Sequence, residues 1–192
     1  MNQTVTRYRR ALAGVDHVVD RMPAHGWSSP SPCPGWTGLH VLGHIIDGQR
    51  QIAALLSGQG PREPLRDPAE AVVGQPVAAW ADALRAMREV LGATDPDRRI
   101  ASHHGEVTAE WVLGTAVIEP LVHAWDLAWA GGFEASLDGE AVGACLVAVA
   151  PVAEQFAATG MYAPALAASA RDTPQQQLLA LLGRNATAGR GR

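Results

Sequence analysis

The sequence predicts an all-α fold, an antiparallel four-helix bundle followed by a short additional helical segment at the C-terminal end. Three observations lead there. Apolar residues recur every three or four positions over long stretches, strict apolar–polar alternation is scarce, and clusters of proline and glycine separate the periodic stretches. Amphipathic helices of this kind bury their apolar stripes against one another. The 192 residues are 47% hydrophobic and 18% charged, enough for a core without disulfides and too apolar for disorder. One domain is expected over residues 1–185, with 186–192 a flexible tail.

The first helix is expected over residues 4–22, where Val5, Tyr8, Leu12, Val15, Val18 and Val19 form an apolar stripe opposite Arg and Asp; Pro23 ends it. Residues 28–35, SSPSPCPG, hold three alternating prolines that exclude helix and central strand. A second helix begins near Trp36 or Thr37 and runs to about Leu56, where Gly58 and Gly60 stop it. Residues 59–74 are polar and proline-bearing and read as a long loop. The third helix covers about 76–91, with Val77, Trp80, Leu84, Met87 and Leu91 as its buried stripe, and 95–107 reads as irregular or briefly extended. Thr108 is placed as the N-cap of a fourth helix running to about Ala130 and ended by Gly131–Gly132. Pro120 inside it kinks it or removes one backbone hydrogen bond. A fifth helix is expected over 137–158 and a short closing one over 174–182.

A net charge of −4 gives no electrostatic reason to expect nucleic acid. Every basic side chain is Arg, none is Lys, and Ala and Gly are abundant, a pattern of GC-rich coding. Cys33 and Cys145 are too few for a disulfide framework. The N-terminal stretch lacks the apolar core of a signal peptide, and the most apolar region, 141–158, holds Pro151 and Glu154 and falls short of a membrane span. A cytoplasmic protein without membrane or nucleic-acid partners is expected. A homodimer is compatible with such a bundle.

The chemistry concentrates in IEPLVHAWDLAWA, residues 118–130. Glu119 and His123 are one helical turn apart on one face, and Asp126 follows near the same face. A carboxylate and an imidazole so placed can chelate one ion, with a third ligand from another helix. His44, mid-helix in LHVLGHIID, is the candidate. Imidazole and carboxylate suit zinc, and also nickel, manganese or iron(II). Three protein ligands leave a position for a water or a thiol, whose deprotonated form the cation favours. Asp126 or Asp47 can orient a ligand imidazole through its second nitrogen. Spacing alone leaves the bland reading open, since Glu-x3-His pairs arise by chance and apolar-face histidines are commonly hydrogen-bonded core residues.

Two motifs in this order resemble a known family. PSPCPGWTGLHVLGHIID is similar to the opening motif of the mycothiol-dependent maleylpyruvate isomerase family, a DinB-like group of metal-binding helical bundles, and LVHAWDLAWAGG resembles its second motif. SHHGEVTAEWVL resembles the segment before the second motif, and DTPQQQLLALLGR resembles the ending of a short subgroup. The resemblance implies a DinB-like bundle with metal ligands at His44, Glu119 and His123. It also implies mycothiol as co-substrate and an actinobacterial host. The family's isomerases carry an extra C-terminal domain that this chain is expected to lack. The implied function is a metal-dependent S-transferase or isomerase-like enzyme joining a low-molecular-weight thiol to a small electrophilic substrate. A non-catalytic metal-binding or stress-response bundle and a metal-assisted hydrolase are the alternatives.

Other residues carry weaker signals. His40, one turn before His44, and His104, in a loop with His103, are candidate pocket-lining residues that can equally be solvated. Cys33 near the start of helix two is either a reactive thiol or part of a proline-rich capping loop. Cys145 reads as core. Trp36, Trp111, Trp125 and Trp129 read as packing, while Arg98, Arg99 and Arg184 either meet an anion or are solvated.

Overall fold

A computed structural model describes residues 2–102, 105–169 and 171–186. The chain forms two compact units, Met1–Ser136 and Leu137–Arg192. The first is an all-α bundle of α1 (Gln3–Arg21), α2 (Gly38–Leu56), α3 (Pro76–Ala93), and the consecutive helices α4 (Ala109–Ala116) and α5 (Ile118–Ala130). A two-stranded antiparallel hairpin, β1 (Arg99–Ser102) with β2 (Gly105–Thr108), precedes α4.

In the bundle α1 packs against α3 and α5, and α2 packs against the same two helices. Contacts give the directions. Arg9 reaches Leu91 O and Asp16 accepts from Trp80, so α1 and α3 run antiparallel. Gly38 approaches Ala130 while His44 meets Glu119, so α2 and α5 are antiparallel too. Thr4 of α1 meets Glu110 while Met22, just past α1, meets Gly131, so α1 and α5 run the same way; α2 and α3 therefore also run the same way, and residues 57–75 carry the chain back between them as a long crossover. The core holds Tyr8, Leu12 and Val15 of α1, Leu42, Ile45 and Ile46 of α2, Trp80, Leu84 and Met87 of α3, and Leu121 and Leu127 of α5, all buried, whereas Val77, expected in the α3 stripe, is exposed in the first turn of that helix. Helix α5 is buried around most of its circumference, which explains why its sequence is apolar on every face.

Two single helices expected from the sequence are each broken. The fourth becomes α4 and α5 because Pro120 has no N–H to offer Ala116 O, and the ladder lapses at Val117, whose backbone stays helical. In the second unit the expected helix over 137–158 splits into α6 (Gly139–Val149) and α7 (Ala153–Ala158) around Pro151, for the same reason. The closing helix α8 (Pro174–Leu181) is capped by a reciprocal Thr173–Gln176 capping box and packs on α6. The segment read as irregular or briefly extended at 95–107 contains β1 and part of β2, the extended alternative, with four paired positions too short for a periodicity signal. Among the described residues, no helix is long and apolar enough to cross a membrane.

The crossover is stapled to α2. Asp47, buried on α2, accepts from the Leu65 N–H (3.0 Å) and from Gln51 Nε2 (2.9 Å). Arg50 donates to Ala71 O, and the 3-10 turn Pro68–Ala71 lies directly on α2 at Gly43, where a β-carbon would stand 1.9 Å from Pro68 O.

Candidate metal centre

Helix α5 supplies Glu119 and His123 one turn apart, and α2 supplies His44 opposite them. His44 Nε2 lies 2.9 Å and His123 Nε2 3.3 Å from the same oxygen, Glu119 Oε2. One donor atom from each of the three falls within 4.8 Å of the others. Two donors bound about 2.0–2.1 Å from a tetrahedral zinc stand about 3.3 Å apart, so this spacing fits one ion with little movement. The two imidazoles meet edge to face with centroids 4.9 Å apart, and the Trp36 ring tilts over His44 at 5.1 Å. Trp36, expected as packing, thus forms a wall of the site.

A second layer holds His123. Its Nδ1–H donates to Asp126 Oδ2 at 2.8 Å, a direction assigned from the carboxylate's being an acceptor. That leaves Nε2 facing Glu119. Asp126 is wholly buried, and the Cys33 thiol donates to the same oxygen at 3.4 Å, with Sγ 4.0 Å from His123 Nδ1. Cys33, His123 and Asp126 therefore make a second group of ligand-type atoms, with His123 common to both. The proline loop places Cys33 here: Ser31 and Trp36 close it by hydrogen bonds that turn the cysteine back toward α5.

Electrostatics of the metal-free chain follow from these contacts. Burial opposes a charge on Glu119, but hydrogen bonds to His123 and His44 and their positive charge outweigh it, and its pKa lies well below the usual value. Burial likewise opposes a charge on His123, yet the bonds to Asp126, Cys33 and Glu119 prevail and raise its pKa well above the usual value. Without a metal, the His123 proton stands in for the cation. Asp126→Asn keeps the shape but weakens the acceptor, and zinc affinity should fall about 10–100-fold, read by competition with a chromophoric chelator. Unchanged affinity would reduce Asp126 to a packing residue.

The remaining sequence candidates lie elsewhere. Asp47 anchors the crossover and makes no bond to a candidate ligand imidazole, because its carboxylate is taken by Leu65 and Gln51. His40 does not line the cavity that opens beside His44. Its Nδ1 accepts from the Thr37 N–H (3.3 Å) and lies 2.8 Å from the Thr37 hydroxyl, closing a capping box at the start of α2, while Nε2 lies 3.7 Å from Asp67. His104 and His103 lie outside the described residues. Arg98 donates to Leu56 O at the end of α2 and Arg99 pairs with Glu106 across the hairpin. Arg184 donates to Leu182 O with its guanidinium over the Tyr162 ring. Trp111 is exposed, whereas Trp125 and Trp129 pack on each other.

A cavity of about 260 Å³ opens beside His44 and Glu119, with Ile45, Ile52, Pro64 and Ala116 among its walls. Buried Tyr8 donates to Gln49 Oε1 at 2.9 Å on another side of it. Tyr8 lies in the core as its helical stripe predicts, and the cavity beside it has almost no local sequence signature. Its one sequence signal is Gln49, a polar residue one turn after Ile45 on an otherwise apolar face.

Residues 8–128 match the family described as the mycothiol maleylpyruvate isomerase N-terminal domain. Two uncharacterized proteins of Mycobacterium tuberculosis, one from strain CDC 1551 / Oshkosh and one from strain ATCC 25618 / H37Rv, are each 30% identical over 182 residues, 92% of this chain and 95% of theirs. Another uncharacterized protein of the H37Rv strain is 44% identical over 32 residues, 17% of this chain and 12% of its own. No solved structure matches at a significant level. With more than half its length inside the family match, which covers the first motif and residues 121–128 of the second, the chain belongs to the mycothiol maleylpyruvate isomerase N-terminal domain family.

Proposed function

We propose that the chain binds one divalent ion, zinc first among the choices, through His44, Glu119 and His123, and transfers a low-molecular-weight thiol of the mycothiol type to a small electrophile. The observation that carries this reading is the convergence of three ligand-type atoms from α2 and α5 at the edge of a cavity. A purely structural metal site has no use for an adjacent cavity, and such sites are normally closed by four protein ligands. When bound, the ion supplies Lewis acidity that favours the thiolate form of a small thiol.

The chain's own residues do the rest. Asp126 holds the His123 ring so that Nε2 faces the site, Trp36 limits solvent on the His44 side, and Pro64, held by the Asp47–Leu65 bond, closes part of the cavity. The test is transfer of mycothiol to a bimane electrophile, with and without zinc. A zinc-dependent rate at least about tenfold above the uncatalysed reaction, lost in Glu119→Gln, is expected. A rate indistinguishable from background under every metal tried would leave a binding protein without this chemistry.

A further inference from the structure

We propose that the cavity beside His44 and Glu119 is a subsite for an uncharged, largely apolar small molecule. Resting on the function proposed above, this makes the electrophile a neutral compound and not a dicarboxylate. The walls formed by Ile45, Ile52, Pro64 and Ala116 offer no charge, and none of the cavity's described lining residues is an arginine. The chain has no lysine at all. Arg62 and Arg66, which flank Pro64 in sequence, are exposed to solvent.

The polar groups of the lining point the same way. Tyr8 and Gln49 are bonded to each other, and burial pushes the Tyr8 hydroxyl far above its usual pKa, so it stays neutral. Among the described lining residues Glu119 is the one carboxylate. A divalent ion on the three candidate ligands can satisfy one anionic group of a bound molecule. A second carboxylate pushed into these walls would lose its water and find no cation in return, which is strongly unfavourable. Size adds a limit, because 260 Å³ holds about nine water-sized groups.

Gly48 gives a direct way in. It lines the cavity from within α2, and a β-carbon built there meets nothing within 4 Å. Gly48→Leu therefore fills the subsite without a backbone clash and adds a better helix former. Ile52→Arg places a guanidinium in the same wall.

Ligand-observed NMR on the metal-free and zinc-loaded chain tests the proposal with three probes: cyclohexanone, butyrate and succinate. In the metal-free chain cyclohexanone should bind and Gly48→Leu should weaken it about tenfold or more, with an unchanged near-ultraviolet circular dichroism spectrum. In the zinc-loaded chain butyrate should bind about tenfold or more tightly than succinate, and Ile52→Arg should narrow or reverse that order. Succinate bound as tightly as butyrate by the zinc-loaded wild type, or cyclohexanone binding untouched by Gly48→Leu, would overturn the subsite. Cyclohexanone binding without thiol transfer would sink only the catalytic reading. Thiol transfer without cyclohexanone binding would sink only the subsite.

Discussion

His44→Ala and His123→Ala are each expected to lower bound divalent metal from about one ion per chain to near none, measured by elemental mass spectrometry after gentle purification and reloading. Removing either imidazole leaves one nitrogen and one carboxylate, too few to hold an ion against dilution. The two variants should differ in another way. His44 is partly exposed, so its removal should barely change the stability of the metal-free protein, whereas His123 is buried and its loss takes away a 2.8 Å hydrogen bond from the wholly buried Asp126 carboxylate. Equal metal content in wild type and both variants would remove the site.

The binding should also depend on pH, with a sign that the contacts fix. Because the folded pKa of His123 is raised above 6.5, its charge stabilises the metal-free chain fully below that value, and the contribution fades as pH rises through the folded pKa. Glu119 is depressed below 4.5, so its contribution is present above that value and fades as pH falls through the lower folded one. A metal must displace the proton on His123 Nε2. Zinc loading should therefore release a proton near neutral pH and tighten as pH rises, visible as a buffer-dependent heat in titration calorimetry. A heat independent of the buffer would mean that His123 is neutral before the metal arrives.

Gly43→Ala is expected to destabilise the protein by about 3 kcal/mol, the upper part of the range for overpacking, because the obstacle is backbone. The added carbon would lie 1.9 Å from Pro68 O and 2.6 Å from Pro68 C, so the 3-10 turn at Pro68–Ala71 must leave α2. For a chain of this length the melting temperature should fall by roughly 6–12 °C. Gly48→Ala, one turn and a residue along the same helix, is the control: its β-carbon has open space, and helix propensity should stabilise it by about 0.5–1 kcal/mol. Equal melting temperatures for the two variants would show that the crossover does not rest on α2 as described.

Much of this protein is legible in one dimension. The apolar stripes of α1, α2 and α3 are local periodicities, and helical geometry alone puts Glu119 and His123 on one face, so neither needed tertiary information. Proline effects were legible in principle, since Pro120 and Pro151 act on the hydrogen bond four residues back, yet Pro151 was outweighed by the apolar run around it. The ring order of the helices, the long crossover and the hairpin are set by contacts between residues far apart in sequence. So is the meeting of His44 with α5, for which its place amid apolar residues made it the candidate and the family resemblance implied it, but which no local pattern fixes.

The helical class and the one-turn pairing of a carboxylate with an imidazole were readable along the chain, because both follow from backbone geometry within a single element. How the neighbouring side chains divide their roles follows only from packing between distant segments. Cys33 turns toward Asp126, His40 caps its own helix, Asp47 ties down the crossover, and Ile45, Ile52, Pro64 and Ala116 enclose a cavity. Those roles depend on which side chains from distant segments fill the same few ångströms, and no local pattern records that.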